Sequence, residues 1–186
     1  MRKITGFVIV AGMLSLGIAL LGCSSVPPAE TLEPDDTTAT VYFVMPGSGV
    51  TFTGGGLTVG TQFSLWDSDM FLSNIGGREC LMLHVRAGTH YFMAGSNNWW
   101  IIEADLAPGK AYYFEVITMP GFSSPTVRLR FIEPDDPELD GYIKSTKKIS
   151  PKGKVSESMV KTAGEKIDAA KGGSEDIDKV TADKGI

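Results

Sequence analysis

The stretch ECLMLHVR, residues 79–86, alternates apolar and polar side chains in steps of two. Because successive side chains of a β-strand point to opposite faces, this alternation places Leu81, Leu83 and Val85 on one face. Similar runs lie at residues 39–45, 63–66, 70–72, 89–94, 99–106, 111–118 and 126–132, separated by Gly, Pro, Asn and Asp. The sequence therefore predicts an all-β fold, a small antiparallel β-sandwich of about seven to nine strands over residues 38–143.

The first 23 residues have the layout of a leader for export. Arg2 and Lys3 precede an apolar stretch at residues 4–21, and the small Gly22 stands before Cys23. This layout predicts a secretory signal peptide over residues 1–22. The alternative is an uncut transmembrane helix, since about 18 apolar residues could just span a bilayer. We favour the signal peptide, because polar and Pro-containing sequence follows Cys23 where aromatic or basic residues would mark a helix end.

Two polar segments flank the predicted sandwich. Residues 23–37 contain prolines and acidic residues and little to bury, which predicts an extended tether after the cysteine. Residues 144–186 are rich in lysine and are predicted to be a mostly disordered tail with one weak helix near residues 155–171. The apolar residues of that helix recur at intervals of four: Val155, Met159, Ala163 and Ile167.

Charge and cysteine content exclude some functions. The formal net charge is −5, and removal of residues 1–22 takes away Arg2 and Lys3, which gives −7. So acidic a chain does not attract polyanions, and no nucleic-acid partner is predicted. Once Cys23 is modified, Cys80 is the one remaining thiol, so no internal disulfide can form. Cys80 is expected to be a small buried apolar side chain.

The residues Leu20-Leu21-Gly22-Cys23 resemble the lipobox of bacterial lipoproteins. The resemblance implies that Cys23 becomes the first mature residue and carries several acyl chains, enough for stable anchoring to a membrane. In lipoproteins of enteric bacteria, an Asp after this cysteine signals retention in the inner membrane. Because Ser24 stands there, the resemblance implies an envelope location at the outer membrane, facing the periplasm, if the host has two membranes.

Two further stretches carry a resemblance within the sandwich: VRAGTHYF at residues 85–92 and EADLAPGKAYY at residues 103–113. Each joins two strands by a glycine-containing turn, and the second ends in paired aromatics. They are similar to a group of uncharacterised bacterial lipoproteins with a single PEGA-like β-sandwich domain. The resemblance covers residues 38–149 and implies a fold. It implies no catalytic residues, and Ala87 stands where such families usually have proline.

Two sets of residues are candidates for a site. Trp99 and Trp100 should point to opposite faces of a strand, so one indole is expected in the core and the other exposed as a partner contact. Cys80, Met82 and His84 share one strand face and are ligands that suit copper or zinc. Their spacing of nearly 7 Å is too wide for one ion without help from another strand. We therefore favour a packed face and predict no metal site.

Catalytic constellations are not apparent. His84 and His90 are the possible general bases, no Gly-x-Ser-x-Gly motif is present, and Asp67 and Asp69 occur in turn-like sequence. The sequence predicts a non-enzymatic, membrane-anchored envelope lipoprotein that binds or braces another envelope protein or a cell-wall component, without a cofactor. The alternative is a lipoprotein that binds a small ligand or a soft metal such as copper or zinc.

We predict that Cys23 is the site of lipid attachment. Cys23→Ala should leave an unlipidated precursor, because the thioether needs the thiol. Metabolic labelling with a fatty-acid analogue, read on a gel, checks this. Cys80→Ala is the control and should label like the wild type. Labelling of the Cys23→Ala protein would refute the assignment.

Overall fold

The computed structural model describes residues 25–47, 51–53, 56–58, 60–174 and 177–186. The predicted signal peptide, Cys23 as the predicted lipidation site, and Ser24 lie outside the described residues. Within those ranges, no helix is long and apolar enough to cross a membrane.

Within these ranges, the chain forms short strands and two α-helices. The strands are β1 (Ser25–Val26), β2 (Thr38–Met45), β3 (Thr51–Thr53), β4 (Gly56–Thr58), β5 (Gln62–Asp67), β6 (Met70–Gly76), β7 (Glu79–Arg86), β8 (Gly88–Gly95), β9 (Trp99–Leu106), β10 (Ala111–Met119), β11 (Thr126–Ile132), β12 (Lys147–Ile149), β13 (Val155–Ser156) and β14 (Asp178–Val180). The helices are α1 (Leu139–Ser145) and α2 (Glu157–Lys171), and a 3-10 turn spans Ala182–Lys184.

Two five-stranded sheets make up the sandwich. The first sheet has the order β11-β10-β2-β7-β12, and the second has the order β14-β9-β8-β5-β6. Most neighbours are antiparallel, whereas β2–β10, β7–β12 and β9–β14 pair in parallel. The all-β sandwich predicted from the sequence is confirmed, and its sheets are mixed because distant parts of the chain add parallel neighbours.

Apolar side chains from both sheets fill the space between them. Leu81, Leu83 and Val85 all belong to this core, which confirms the alternation read from β7. Aromatic rings link the two sheets: the centroid of Phe92 lies 5.3 Å from that of Phe43 and 5.2 Å from that of Phe114. Edge-to-face contacts of this kind stabilise beyond the buried area alone.

A second apolar cluster lies on the outer face of the second sheet. It contains the buried side chains of Trp66, Phe71, Met93 and Ile101 from the sheet. Helix α2 covers them with the buried residues Ala163, Ile167 and Ala170. Ser156 is the N-cap of this helix, and its hydroxyl accepts a hydrogen bond from the Met159 N–H at 3.3 Å.

The segment at residues 144–186 was expected to be mostly disordered, but its described residues, 144–174 and 177–186, are part of the fold. β12 extends the first sheet, β14 extends the second, and α2 lies close to the helix position predicted from the sequence. The tail is also fixed near its end, where the Tyr112 hydroxyl donates to the Ala182 carbonyl at 2.8 Å. The physical reason is burial: an amphipathic helix that is marginal in water becomes stable on an apolar sheet face.

Residues 25–37, which we name the N-terminal arm, also differ from the expected extended tether. β1 pairs with β13, and the Ala29 N–H donates to the Phe71 carbonyl at 2.7 Å. The Ala87 N–H donates to the Thr37 carbonyl at 2.8 Å. Val26 packs against the cluster under α2. The arm therefore lies along the domain. Backbone hydrogen bonds and the packing of Val26 on the apolar cluster hold it there.

Packing of α2 should contribute measurably to stability. Ile167→Ala removes a side chain that is 3 % exposed and should lower the free energy of unfolding by about 2 to 5 kcal/mol. Urea denaturation of the chain from Ser25 onward measures it. Lys161→Ala, an exposed position on the same helix, is the matched control and should change stability by less than about 0.5 kcal/mol. Equal, small effects of the two substitutions would contradict the packing of α2.

Candidate ligand pocket beneath the N-terminal arm

The sandwich is open along the side where β6 and β7 face each other. β6 is the last strand of the second sheet, and β12 pairs with β7 only over Glu79–Leu81. The arm crosses this opening, with hydrogen bonds from the Ala29 N–H to Phe71 and from the Leu32 N–H to the His84 carbonyl at 3.4 Å. A cavity of about 300 Å³ remains between the arm and the strands.

The pocket has apolar walls and a charged base. Leu32 and Met70 line it although 40 % and 51 % of their surfaces are exposed, and Leu72 and Val85 line it from deeper positions. Side chains of Asp67 and His90 are also part of the lining. Exposed large apolar side chains beside a cavity that contains a few converging polar groups are typical of a ligand site.

Asp67 and His90 occupy the ends of two inward-facing rows of side chains. On β5 the row is Phe63, Leu65 and Asp67, and on β8 it is His90, Phe92 and Ala94. The apolar members of both rows are in the core between the sheets. Since strand side chains alternate with a period of two, the sequence places both polar groups at the end of the core that the arm covers.

The two side chains form a buried ion pair. His90 Nδ1 lies 2.6 Å from Asp67 Oδ2, and the side chains are only 15 % and 6 % exposed. His90 Nε2 lies 2.7 Å from the Arg86 carbonyl oxygen. A carbonyl oxygen and an ionised carboxylate can only accept hydrogen bonds, so both ring nitrogens donate. His90 is therefore an imidazolium in this arrangement.

Opposing effects set the pKa of His90. Burial by itself lowers it, because a low-dielectric site disfavours the charged ring. The hydrogen bond from the ring to Asp67, the negative charge of that carboxylate and the hydrogen bond to the Arg86 carbonyl act in the other direction and prevail. The pKa of His90 is thus raised above its ordinary value, in agreement with the two donated hydrogen bonds.

His84 lies on the opposite side of the same pocket. Its Nδ1 is 3.3 Å from the Thr40 hydroxyl oxygen, on the neighbouring strand β2. Among the described residues, His84 Nε2 has no hydrogen-bond partner. His84 is thus one of several polar residues that line the pocket, together with the charged residues Glu30 and Arg86.

Cys80, Met82 and His84, the candidate soft-metal ligands, lie on one face of β7 but do not converge on a common site. Cys80 is buried where β12 pairs with β7, whereas Met82 is 37 % exposed. Burial raises the pKa of the Cys80 thiol, and Lys148 and the Thr146 hydroxyl offset this only in part. A protonated thiol is a poor metal ligand. No group of three His, Cys, Asp or Glu side chains within the described ranges is placed to hold a metal ion.

Trp99 and Trp100 point to opposite sides of β9, as expected, but both indoles are half-buried. Trp99 packs against the cluster under α2, with its ring centroid 5.9 Å from that of Trp66. Trp100 packs against the inter-sheet core, and the Arg128 guanidinium lies 5.0 Å from its ring centroid. The expected division into one buried and one exposed indole therefore does not describe this pair.

The sequence did not identify the Asp67–His90 pair. Asp67 was assigned to a turn, and it does end β5 just before Ser68, whose φ is 55°. From the sequence, His90 is a possible general base, and no pattern there pairs it with Asp67. The available signal was a carboxylate that continues the apolar row of Phe63 and Leu65, since a charged residue on an inward face needs a partner.

Comparisons with family models, with curated proteins and with solved structures found no match.

Stability should depend on pH through His90. Because its pKa in the folded protein is raised above the unfolded value of about 6.5, the pair stabilises fully below that pH, and this contribution is lost as pH rises through the folded pKa. His90→Gln should cost about 3 to 5 kcal/mol at pH 6 and remove this dependence. Denaturation curves from pH 6 to 9 measure both effects.

The matched control for this experiment is His84→Gln, the same substitution at the other histidine of the chain. It should keep the shape of the wild-type pH profile. A profile flattened equally by both substitutions would show that the ion pair is not its cause.

Proposed function

We propose that the protein is a lipid-anchored envelope protein that acts by binding, not catalysis, and that the pocket beneath the N-terminal arm is its binding site. The observation that carries this proposal is the combination of exposed apolar side chains, Leu32 and Met70, around a cavity whose charged base is already paired. Burial of these two side chains by a partner group would be favourable at about 25 cal/mol per Å² of apolar surface.

Several features of the pocket favour binding over acid–base chemistry. Both nitrogens of His90 donate to fixed acceptors, so the ring has no free lone pair with which to take a proton. A general base must lie within reach of its substrate with that lone pair available. The ion pair instead supplies a fixed part of the wall of a pocket that both apolar and charged side chains line, which suits binding.

The anchor and the location are part of the same proposal. Leu20-Leu21-Gly22-Cys23 supports lipidation at Cys23, and Ser24 supports an outer-membrane location facing the periplasm in a host with two membranes. The resemblance to lipoproteins with a PEGA-like domain supports an envelope role. The partner in this setting is an apolar segment of another envelope protein or of a cell-wall component.

A second candidate is the binding of a small, largely apolar ligand. The observation in its favour is that the arm covers the cavity and His84 offers a free ring nitrogen in its wall. Such a ligand would place its apolar body between Leu72 and Val85 and a hydrogen-bonding group near His84. The soft-metal version of this candidate is less favoured, because the pKa of the buried Cys80 thiol is raised.

Site-specific photo-cross-linking tests the binding site. A diazirine amino acid at position 70, in the full chain expressed in its host, should yield a discrete cross-linked product, because Met70 lines the pocket and is half-exposed. The matched control is position 82, where Met82 is similarly exposed on β7 but outside the pocket lining. Mass spectrometry of the product separates a protein or cell-wall partner from a small ligand.

Leu32→Lys should reduce the yield of the position-70 product at least several-fold, because a charged side chain would replace an apolar contact at the opening. The thermal stability of this variant should stay near that of the wild type, since Leu32 is 40 % exposed. Equal cross-linking from positions 70 and 82 would count against the pocket as the binding site.

A further inference from the structure

The N-terminal arm sets the distance between the proposed anchor and the folded domain. Ser25 and Val26 pair with Ser156 and Val155 as strands β1 and β13. Cys23 precedes Ser25 by only two residues, which span at most about 7 Å. Free linker between the lipidated residue and the first paired strand is therefore nearly absent.

The rest of the arm is held as well. Val26 packs against the cluster under α2, and Ala29 is hydrogen-bonded to Phe71. Farther along, Asp35 Oδ1 accepts hydrogen bonds from both the backbone N–H and the hydroxyl of Thr37, which closes the last turn before β2. By contrast, a free tether made of residues 23–37, the 15 residues of the predicted linker, would reach roughly 50 Å.

We propose that the lipidated protein lies directly on the bilayer, with β13 and the first turn of α2 facing the lipid headgroups. This inference rests on the proposed lipid anchor at Cys23. This surface contacts the headgroup layer, because the short link to the lipidated Cys23 keeps Ser25 within about 7 Å of the anchor. The domain consequently has a fixed side toward the membrane and cannot rotate freely on a long tether.

The chemistry of the surface around β1 suits hydrated headgroups. Lys154, Ser156, Glu157 and Ser158 are all exposed there. The hydroxyl oxygens of Ser156 and Ser158 lie 2.8 Å apart, so Ser158 is close to the strand pair that holds the arm. Polar and charged side chains remain hydrated in the headgroup region, whereas they would oppose insertion into the hydrocarbon core.

The opposite side of the sandwich is correspondingly distant from the membrane. α1 lies on the outer face of the first sheet, where the Arg130 guanidinium contacts both Glu115 and the Tyr142 hydroxyl. α2 lies on the outer face of the second sheet. Two sheets packed about 10 Å apart, each with a helix about 10 Å beyond it, separate the helices by roughly 30 Å.

Fluorescence energy transfer from the domain to the bilayer tests this arrangement. A donor dye is attached at Ser158→Cys or, as the matched control on α1, at Asp140→Cys, both exposed positions. Each is made in a Cys80→Ala background. The purified, lipidated protein is reconstituted into phosphatidylethanolamine and phosphatidylglycerol vesicles that contain an acceptor-labelled lipid. Transfer from position 158 should be at least twofold more efficient than from position 140.

Insertion of 15 Gly and Ser residues between Ser24 and Ser25 restores a free tether. It should lower transfer from position 158 toward the value at position 140. If an acylated protein without the insertion gives equal transfer from both positions, the domain does not lie directly on the bilayer, although the lipid anchor is correct. If mass spectrometry shows mature protein without acyl chains, the anchor itself is wrong, and this inference is overturned with it.

Discussion

The second sheet has apolar residues on both faces, and the arrangement of the whole chain follows from covering them. Its inner face packs on the first sheet, but its outer face carries Trp66, Phe71 and Met93, which are all buried. Neither sheet can cover these apolar side chains from water, so a third layer is required. α2 provides it. The chain must cross to the far side of the sandwich to place that helix, and the N-terminal arm becomes ordered on the same cluster through Val26.

The Asp67–His90 pair introduces a different constraint at the end of the inner core. Two charges are withdrawn from water there. Each compensates the other, and the Arg86 carbonyl oxygen also accepts a hydrogen bond from the His90 ring. Such a pair adds little net stability compared with an apolar replacement, but removal of one partner is costly. It therefore fixes how β5 and β8 meet beneath the arm. The pocket has a definite shape because its base cannot rearrange without exposing an unpaired charge.

The amino-acid sequence predicted local structure well and the outer layer poorly. The alternation of apolar and polar residues in β7 predicted that Leu81, Leu83 and Val85 face the core. Apolar residues at intervals of four predicted the position of α2. The role of α2 was missed because helix propensity alone makes it marginal, and its stability comes from a sheet face far away in the chain. The run at residues 63–66, in which large apolar side chains occupy both parities as Phe63, Leu65 and Trp66, was the available sign of a strand buried on both sides.

The candidate pocket was less accessible to sequence reasoning. Asp67 and His90 are separated by 23 positions, and each has a common alternative explanation, a turn residue and a surface histidine. Their pairing depends on the antiparallel register of β5 and β8, which places Asp67 opposite Phe92. Period-two patterns fix which face a side chain takes, but they leave the register between strands open.

The pairing of β1 with β13 has a consequence for the order of folding. It joins residues 25 and 26 to residues 156 and 155, and β2 likewise finds its parallel neighbour only in β10. Chains dominated by contacts between residues distant in sequence fold slowly, because the entropy of closing long loops is lost before those contacts contribute stabilising free energy. A chain that leaves a translocation channel N-terminus first would carry an uncovered apolar sheet face until α2 has emerged. During that interval, it is open to aggregation and to capture by chaperones.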